Sequence, residues 1–328
     1  MMGERNNDDL LYEIAEAYYV KKELQREIAE RYGISRVQIS KYLKQAEERG
    51  FVKIEVFPPK VPRQREEDLF SRMTEHFRLG RLFLMPNLKS GTGNFFGFLA
   101  KRFFEYLAEK PDESCTVGLG WGQTVYELSA SPVPENFRKS NWSIVPLSGG
   151  LSSINDKFFN INHIVGVFAE KIGAKNKLLY LPFLIEDRDR LKTIDADRDY
   201  QEIGEMWNKL DMIVFSVGAS LGRSPFFRQY SGSSDDYINK LREADVVGDF
   251  LTHYYDIQGR IFELDAATAR LINVTTAQFR AAKERILVAG GAHKVKSIIG
   301  MLRTGMVDVL VSDEKTVQGL LDFVKEQG

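Results

Sequence analysis

The chain has 328 residues, 43% of them hydrophobic, which is too long for a lone DNA-binding module and predicts two domains with a sizeable core. The formal net charge is −1, and residues 1–60 hold eleven basic and eleven acidic side chains, so any positive potential has to be local. Cys115 is the only cysteine, which excludes a disulfide framework or a cysteine-rich zinc site, and no apolar run approaches the roughly 18 residues of a membrane span. Without a signal-peptide core either, the expectation is a cytoplasmic protein with no membrane partner.

In chain order, Asp8 or Asp9 caps a first helix with Leu11, Ile14, Ala15 and Tyr18 as its inner stripe. Residues 24–45 read as two helices joined by a tight turn. Leu24, Ile28 and Tyr32 recur at four-residue spacing on the first. Small Ala29 suits a close helix crossing, Gly33 a left-handed turn, Ile34 the corner, and Ser35 the N-cap of the second helix. On that second helix Ile39, Leu43 and Ala46 point inward. Arg36, Ser40, Lys41 and Lys44 fall on the outer side with Gln38 near its edge; with Ser35 and Val37 they are the candidate DNA contacts, and Ser35 to Ala46 holds three cations and no acid. Arginine reads guanine and glutamine reads adenine, while lysine and serine hold phosphates, so this pattern predicts a recognition helix rather than an ordinary solvated basic face.

After Gly50, alternation of Val52, Ile54 and Val56 predicts a strand of a wing. Pro58, Pro59 and Pro62 then break regular structure. The domain plan is therefore 1–57 for the helix-turn-helix, 58–80 for a linker and connecting helix, and 81–328 for the larger domain. The connecting helix, 64–78, carries the stripe Leu69, Met73 and Phe77 and reads equally as a rigid arm or part of a dimer contact. Apolar strand-like runs follow at 81–85, 115–119, 143–147, 177–183, 212–217, 286–288 and 307–311. Helical patterns lie between them at 95–107, 161–172, 295–302 and 316–324. Such alternation predicts an α/β fold with a mostly parallel sheet covered on both faces, and ligands beyond the carboxyl ends of its strands.

The loops at those ends carry the chemistry. Gly118, Gly120, Gly122, Gln123 and Thr124 follow one strand and precede a short helical pattern, where backbone amides can approach an anion. This is neither a Walker loop nor a dinucleotide fingerprint, and a plain strand-to-helix turn is the competing reading. Ser148, Gly149 and Gly150 follow the next strand, and Lys294 sits at the end of Ala289-Gly290-Gly291-Ala292-His293. Three such loops on one sheet edge predict a site for a small phosphorylated molecule. Arg223 and Arg228 are as suited to the surface as to that site. Asp249 is placed to accept from sugar hydroxyls, and Asp313 to cap the last helix. The four histidines have no metal-ligand spacing, and no nucleophile, base and orienting group can be assembled. No catalytic residue, metal or cofactor is expected beyond a small-molecule effector.

Several stretches occur in the order and spacing of SorC-type transcriptional regulators. They are the two-helix motif at 24–45, the Gly118 to Thr124 loop, Val145-Pro146-Leu147-Ser148-Gly149-Gly150, Phe168-Ala169-Glu170-Lys171, Val247-Gly248-Asp249, Val288-Ala289-Gly290-Gly291 with Lys294, and Val309-Leu310-Val311-Ser312-Asp313-Glu314. The chain resembles that family from about residue 10 to 325. The resemblance implies an N-terminal winged helix-turn-helix joined to a Rossmann-like, doubly wound domain similar to glucosamine-6-phosphate deaminases and ribose-5-phosphate isomerases. It implies a dimer or tetramer responding to a sugar or sugar phosphate. By position, phosphate would lie against Gly120, Gly122, Gln123, Thr124 and Lys294, and sugar near Gly149, Gly150, Asn160, Asn162 and Asp249, with Arg228 a looser correspondence. Some members carry a lysine or arginine before the Gly-Gly pair. Ser148 stands there in this chain, which removes a covalent imine or a second phosphate cation at that position.

The expected function is therefore operator binding controlled by a sugar or sugar-phosphate effector, with operator DNA and further copies of the chain as partners. Two alternatives stand beside it. One is a sugar-phosphate isomerase or deaminase, for which only Asp249 offers an acid/base group. The other is a metabolite-binding protein whose N-terminal helices only oligomerise.

Overall fold

Two hydrophobic cores organise the chain, one within Met1–Phe57 and one within Pro58–Gly328. The computed structural model describes residues 7–52, 54, 59–87, 94–150, 157–185, 187–219, 241, 243–262 and 270–327.

The first unit contains α1 (Asn7–Ala15), continued by a π-helical turn Glu16–Val20, then α2 (Gln25–Tyr32) and α3 (Arg36–Glu48). Leu11, Ile14, Ile28, Ile39, Leu43 and Ala46 bury together, the inner faces that a 3.6-residue period assigns. Gly33 takes φ +66° and its N–H donates to the carbonyls of Ala29 and Glu30, closing α2. Ser35 Oγ accepts from the Gln38 N–H at 3.1 Å and opens α3. Leu24 departs from the expected inner stripe and is 60% exposed. It is the extended N-cap residue of α2, so helical spacing does not apply to it, and Glu27 accepts its N–H at 3.0 Å. Asp8 and Asp9 fall in the first turn of α1 rather than at its cap. Phe51, Val52 and Ile54 carry no strand assignment, and most of the expected wing strand lies outside the described residues.

The second unit is built on a parallel sheet. Its strands are β1 (Arg81–Met85), β2 (Cys115–Leu119), β3 (Trp142–Pro146), β4 (Lys175–Asn176), β6 (Met212–Phe215), β11 (Glu284–Val288) and β12 (Val309–Asp313), in the spatial order β1-β12-β11-β6-β2-β3-β4. Every pairing in that sheet is parallel. A strand pair β5 (Leu184–Ile185) with β10 (Arg270–Leu271), and an antiparallel set β7 (Val246–Phe250), β8 (His253–Asp256) and β9 (Ile261–Phe262), stand outside it. From β2 the chain builds outward through β3 and β4. From β6 it builds the other way through β11 and β12. The reversal between β2 and β6 is the crevice where such sheets receive ligands.

Helices α5 (Phe95–Ala108), α6 (Gln123–Ala130) and α7 (Ile161–Ile172) pack in one row. In a second row, α4 (Arg63–Thr74) packs on α12 (Glu314–Gln327), which packs on α11 (Val295–Arg303). Strands covered this way are buried throughout: all five residues of β12 are buried, Ser312 and Asp313 among them. The apolar stripe of the connecting helix α4 packs within the second unit, while Gln64, Glu67, Asp68 and Ser71 on its other side are exposed. Leu69 and Met73 are fully buried in the second core, and Glu66 accepts the Leu84 N–H of edge strand β1 at 2.6 Å. An outward-facing backbone donor is thereby satisfied by a side chain, which blunts the edge.

Residues 177–183, expected as a strand, form an irregular connection. Asn162 substitutes for a ladder partner there: its amide donates to the Leu179 carbonyl and accepts from the Leu179 N–H, each at 3.0 Å. Pro182 offers no N–H to a neighbouring strand.

Candidate functional site

Loops from three neighbouring strands, β11, β6 and β2, meet over the crevice and enclose a cavity of about 500 Å³. After β2, Gly122 adopts φ +104° and ψ 165°, a conformation open to glycine alone, and turns the chain into α6. The first N–H groups of that helix have no intrahelical acceptor. Gln123 and Thr124 line the cavity there. After β11, Gly291 takes φ +101°, and its N–H donates to Asp313 Oδ2 at 3.1 Å and Thr316 Oγ1 at 2.6 Å. That anchored turn delivers Lys294, whose ammonium donates weakly to Ser216 Oγ at 3.3 Å and Thr124 Oγ1 at 3.5 Å. One cation thus spans all three loops.

Asp249 closes the opposite side. An added Cβ on Gly218 would lie 2.2 Å from its Oδ1, so the bare backbone after β6 lets the carboxylate approach. The hairpin from β7 to β8 turns through Leu251 and Thr252, with φ +47° and +69°. Two consecutive left-handed residues give the twist that a two-residue hairpin needs, usually with asparagine or glycine. Here the strain, about 1–2 kcal/mol per residue, is carried by ordinary side chains and held by Asn273, which donates to the Leu251 carbonyl at 3.0 Å. The Thr252 N–H is thereby presented to Asp249.

Burial raises the Asp249 carboxyl to about 6, opposed by the Thr252 N–H and by the charge of Lys294. Burial likewise lowers the Lys294 ammonium to about 8, opposed by Asp249. Each group is left short of solvation that a ligand of opposite or hydrogen-bonding character can supply.

Of the residues expected to bind a ligand, Gly122, Gln123, Thr124, Asp249 and Lys294 come together on this cavity. The others are used elsewhere. Gly118 lies inside β2, where an added Cβ would fall 2.3 Å from Leu147 Cδ2, so it serves packing. Gly120 donates its N–H to Val214 O at 2.9 Å. Ser148 is fully buried and donates to Ile272 O at 3.1 Å. Gly149 donates to that same carbonyl, and Gly150 bridges to Pro182. Asn160 caps α7 by accepting from the His163 N–H, and Asn162 is occupied by Leu179. Asp313 caps α12 and anchors Gly291. Arg223 and Arg228 lie outside the described residues.

Sequence reasoning missed the aromatic part of the lining. Phe95 and Phe96 read as the start of the helical pattern at 95–107, and Phe158 and Phe159, just before the pattern at 161–172, were not singled out. Trp121, set between two glycines, was the one visible hint. Ser216 and Val217 read as the end of a strand that actually stops at Phe215, and Gly218 and Ala219 beyond it were not singled out.

In the first unit, Ser35, Arg36, Val37, Ser40, Lys41 and Lys44 are exposed on α3, and Gln38 is half-buried. Ser40 Oγ donates to Gln25 Oε1 at 3.0 Å, and Lys44 pairs with Glu48 at 3.7 Å. Arg36 and Lys41 form no ion pair with a described residue. Val37 is 66% exposed amid these polar groups, an apolar contact of the kind that suits a thymine methyl.

A family model described as "Putative sugar-binding domain" matches residues 63–322. The chain is 29% identical over 319 residues to the deoxyribonucleoside regulator of Bacillus subtilis, covering 97% of this chain and 99% of that one. It is 25% identical over 328 residues to the sorbitol operon regulator of Klebsiella pneumoniae, covering 96% and 99%. The crystal structure of full-length SorC, the Klebsiella pneumoniae sorbitol operon regulator, matches with a TM-score of 0.67 at 22% identity, over 97% of this chain and 100% of that one. At that identity the structural likeness establishes a shared fold.

Proposed function

The chain belongs to the sugar-binding domain family of SorC-type transcriptional regulators, and from that membership we propose that a phosphorylated sugar in the cavity over β2, β6 and β11 controls operator binding by α3. The observation that carries the ligand class is Lys294, held between the hydroxyls of Thr124 and Ser216 beside the start of α6. An ammonium, two hydroxyls and a helix N-terminus together suit one phosphate. Asp249 then accepts from sugar hydroxyls. The relatives' names point to deoxyribonucleosides and to sorbitol, and both lead to sugar or polyol chemistry.

On this reading the chain works in the cytoplasm as a homo-oligomer. Paired recognition helices must meet half-sites roughly 34–36 Å apart or multiples of that spacing, and a small rearrangement between copies changes the fit. Effector and operator affinities are then coupled reciprocally. Arg36, Gln38 and Val37 read bases, while Lys41 and Lys44 hold phosphates.

The test is paired titration of the full-length protein and of Lys294→Ala with sugar phosphates and with operator DNA. The expected result is loss of effector response with operator binding kept. Normal induction of that variant removes Lys294 from the site, and an effector that changes neither operator affinity nor assembly removes the mechanism. The shifted Asp249 and Lys294 pair is also what an acid/base enzyme would use. We assign it to binding, and turnover of any sugar phosphate in the same panel would reverse that assignment.

A further inference from the structure

Aromatic rings line the cavity on two sides. Phe95 and Phe96 form a T-shaped pair with centroids 5.5 Å apart at the start of α5, and Trp121, after β2, forms another at 6.2 Å with Phe159, in the turn before α7. Phe95 reaches the turn after β11, because a Cβ on Gly290 would fall 2.7 Å from its Cζ. The rings therefore approach from the β11 side and from the β2 side of the central strand β6. Phe95, Phe96 and Phe159 are partly buried, so their outer surfaces stay open to the cavity they line.

Among the described residues, the polar groups of the lining are fewer. If Lys294, Thr124, Ser216 and Gln123 hold a phosphate, Asp249 and Thr252 are left for sugar hydroxyls, with His293 near the turn. A polyol filling the remaining space would press hydroxyls against aromatic carbon, and a hydroxyl that leaves water without a partner is penalised. A cavity of about 500 Å³ has room for a sugar phosphate with a further ring beside it.

We propose that the effector is a phosphorylated sugar carrying a second, flat ring, whose π-face lies against the walls formed by Phe95, Phe96, Trp121 and Phe159. The inference rests on the sugar-phosphate reading of the same cavity and adds the ring. An aryl glycoside phosphate and a nucleoside monophosphate share this chemistry, and sequence-independent stacking on aromatic side chains is how proteins hold such rings.

The experiment is calorimetric titration of the full-length protein with matched pairs. These are glucose 6-phosphate against 4-nitrophenyl β-D-glucoside 6-phosphate, and deoxyribose 5-phosphate against thymidine 5′-monophosphate, with inorganic phosphate as the reference. In at least one pair the two-ring ligand should bind about tenfold tighter or more, and the winning pair tells aryl from nucleobase. Phe96→Ala and Phe159→Ala should each remove most of that gain and leave the one-ring ligand within about twofold, while Phe159→Tyr keeps it. The proposal is overturned if each one-ring ligand binds as tightly as its partner, or if the variants weaken both alike. In that case binding that still needs Lys294 leaves the sugar-phosphate reading standing. If no phosphorylated sugar binds better than inorganic phosphate, both readings fall together.

Discussion

The segments that leave β2 and β3 start from neighbouring parallel strands, and each combines glycines with hydroxyl or amide side chains. After β2, Gly122 is glycine for its backbone angle: an added Cβ would meet nothing within 4 Å, yet φ is +104°. The loop opens onto the cavity. After β3, Gly149 is glycine for closeness: an added Cβ would fall 2.7 Å from backbone atoms of Leu181 and Pro182. That loop is sealed by the 181–183 segment on one side and by 272–274 on the other, through Gly150 N to Leu181 O, Phe183 N to Gly150 O, Gly149 N to Ile272 O and Val274 N to Leu147 O. A glycine-rich turn after a strand is thus a ligand loop only where no other segment has taken its amides.

The comparison breaks most sharply on the sealed side. Gly149→Ala should destabilise the second unit by about 3 kcal/mol, because the clash is with backbone, which cannot rotate away. Chemical denaturation followed by tryptophan fluorescence measures it. An unfolding midpoint unchanged from the parent would mean that the loop is looser than described and free to hold ligand after all. On the open side, Gly122→Ala should cost about 1–3 kcal/mol through strain alone. It should also weaken effector binding by more than its stability loss explains, since it moves the first amides of α6. Equal affinity in the variant would detach that turn from the site.

The charges of the open side give a third test. Asp249 is raised from 3.8 to about 6, so ionising it opposes folding: its contribution is most favourable below pH 4 and declines as pH rises through about 6. Lys294 is lowered from 10.5 to about 8, so protonating it opposes folding, an effect absent above about 10.5 and complete below about 8. Near pH 7 both groups are charged and both penalties are present. Asp249→Asn should therefore stabilise the effector-free protein at pH 7 by ~1–2 kcal/mol, less than the full shift because Lys294 loses its partner. The gain should fade toward pH 4. Effector affinity of the parent should be greatest between about pH 6 and 8, where carboxylate and ammonium coexist. A variant less stable than the parent at pH 7 would show Asp249 to be a structural anchor.

Much of the sheet was legible because five-residue apolar runs bounded by turns leave little else for the chain to do. β1, β2 and α7 match their expected bounds, and β3 begins one residue early. Gly122, Thr124 and Lys294 were legible as a group because each follows a strand whose end could be placed, whereas Asp249 was singled out only as a carboxylate near the loops and lies inside β7, a strand not expected there. The aromatic walls were hidden in helical periodicity, where a phenylalanine facing a ligand and one facing a core look alike. The closure of Ser148 to Gly150 was hidden for another reason. The residues that seal it, Ile272 to Val274, lie more than a hundred positions away and carry no local mark of that pairing.

Ser148 supplies the smallest and most direct test of that closure. Its hydroxyl donates to Ile272 O, and the same carbonyl already accepts the Gly149 N–H at 2.7 Å. Removing the hydroxyl therefore leaves no buried acceptor without a partner, and Ser148→Ala should cost only about 0.5–1 kcal/mol. Because the side chain points into the seam with 272–274 and not into the cavity, effector affinity should stay within about twofold, well under the tenfold that 1.4 kcal/mol represents. Titration of the variant beside the parent decides it. A loss of effector binding larger than the loss of stability would place Ser148 against the ligand, and the loop after β3 would then have to open for that contact to form.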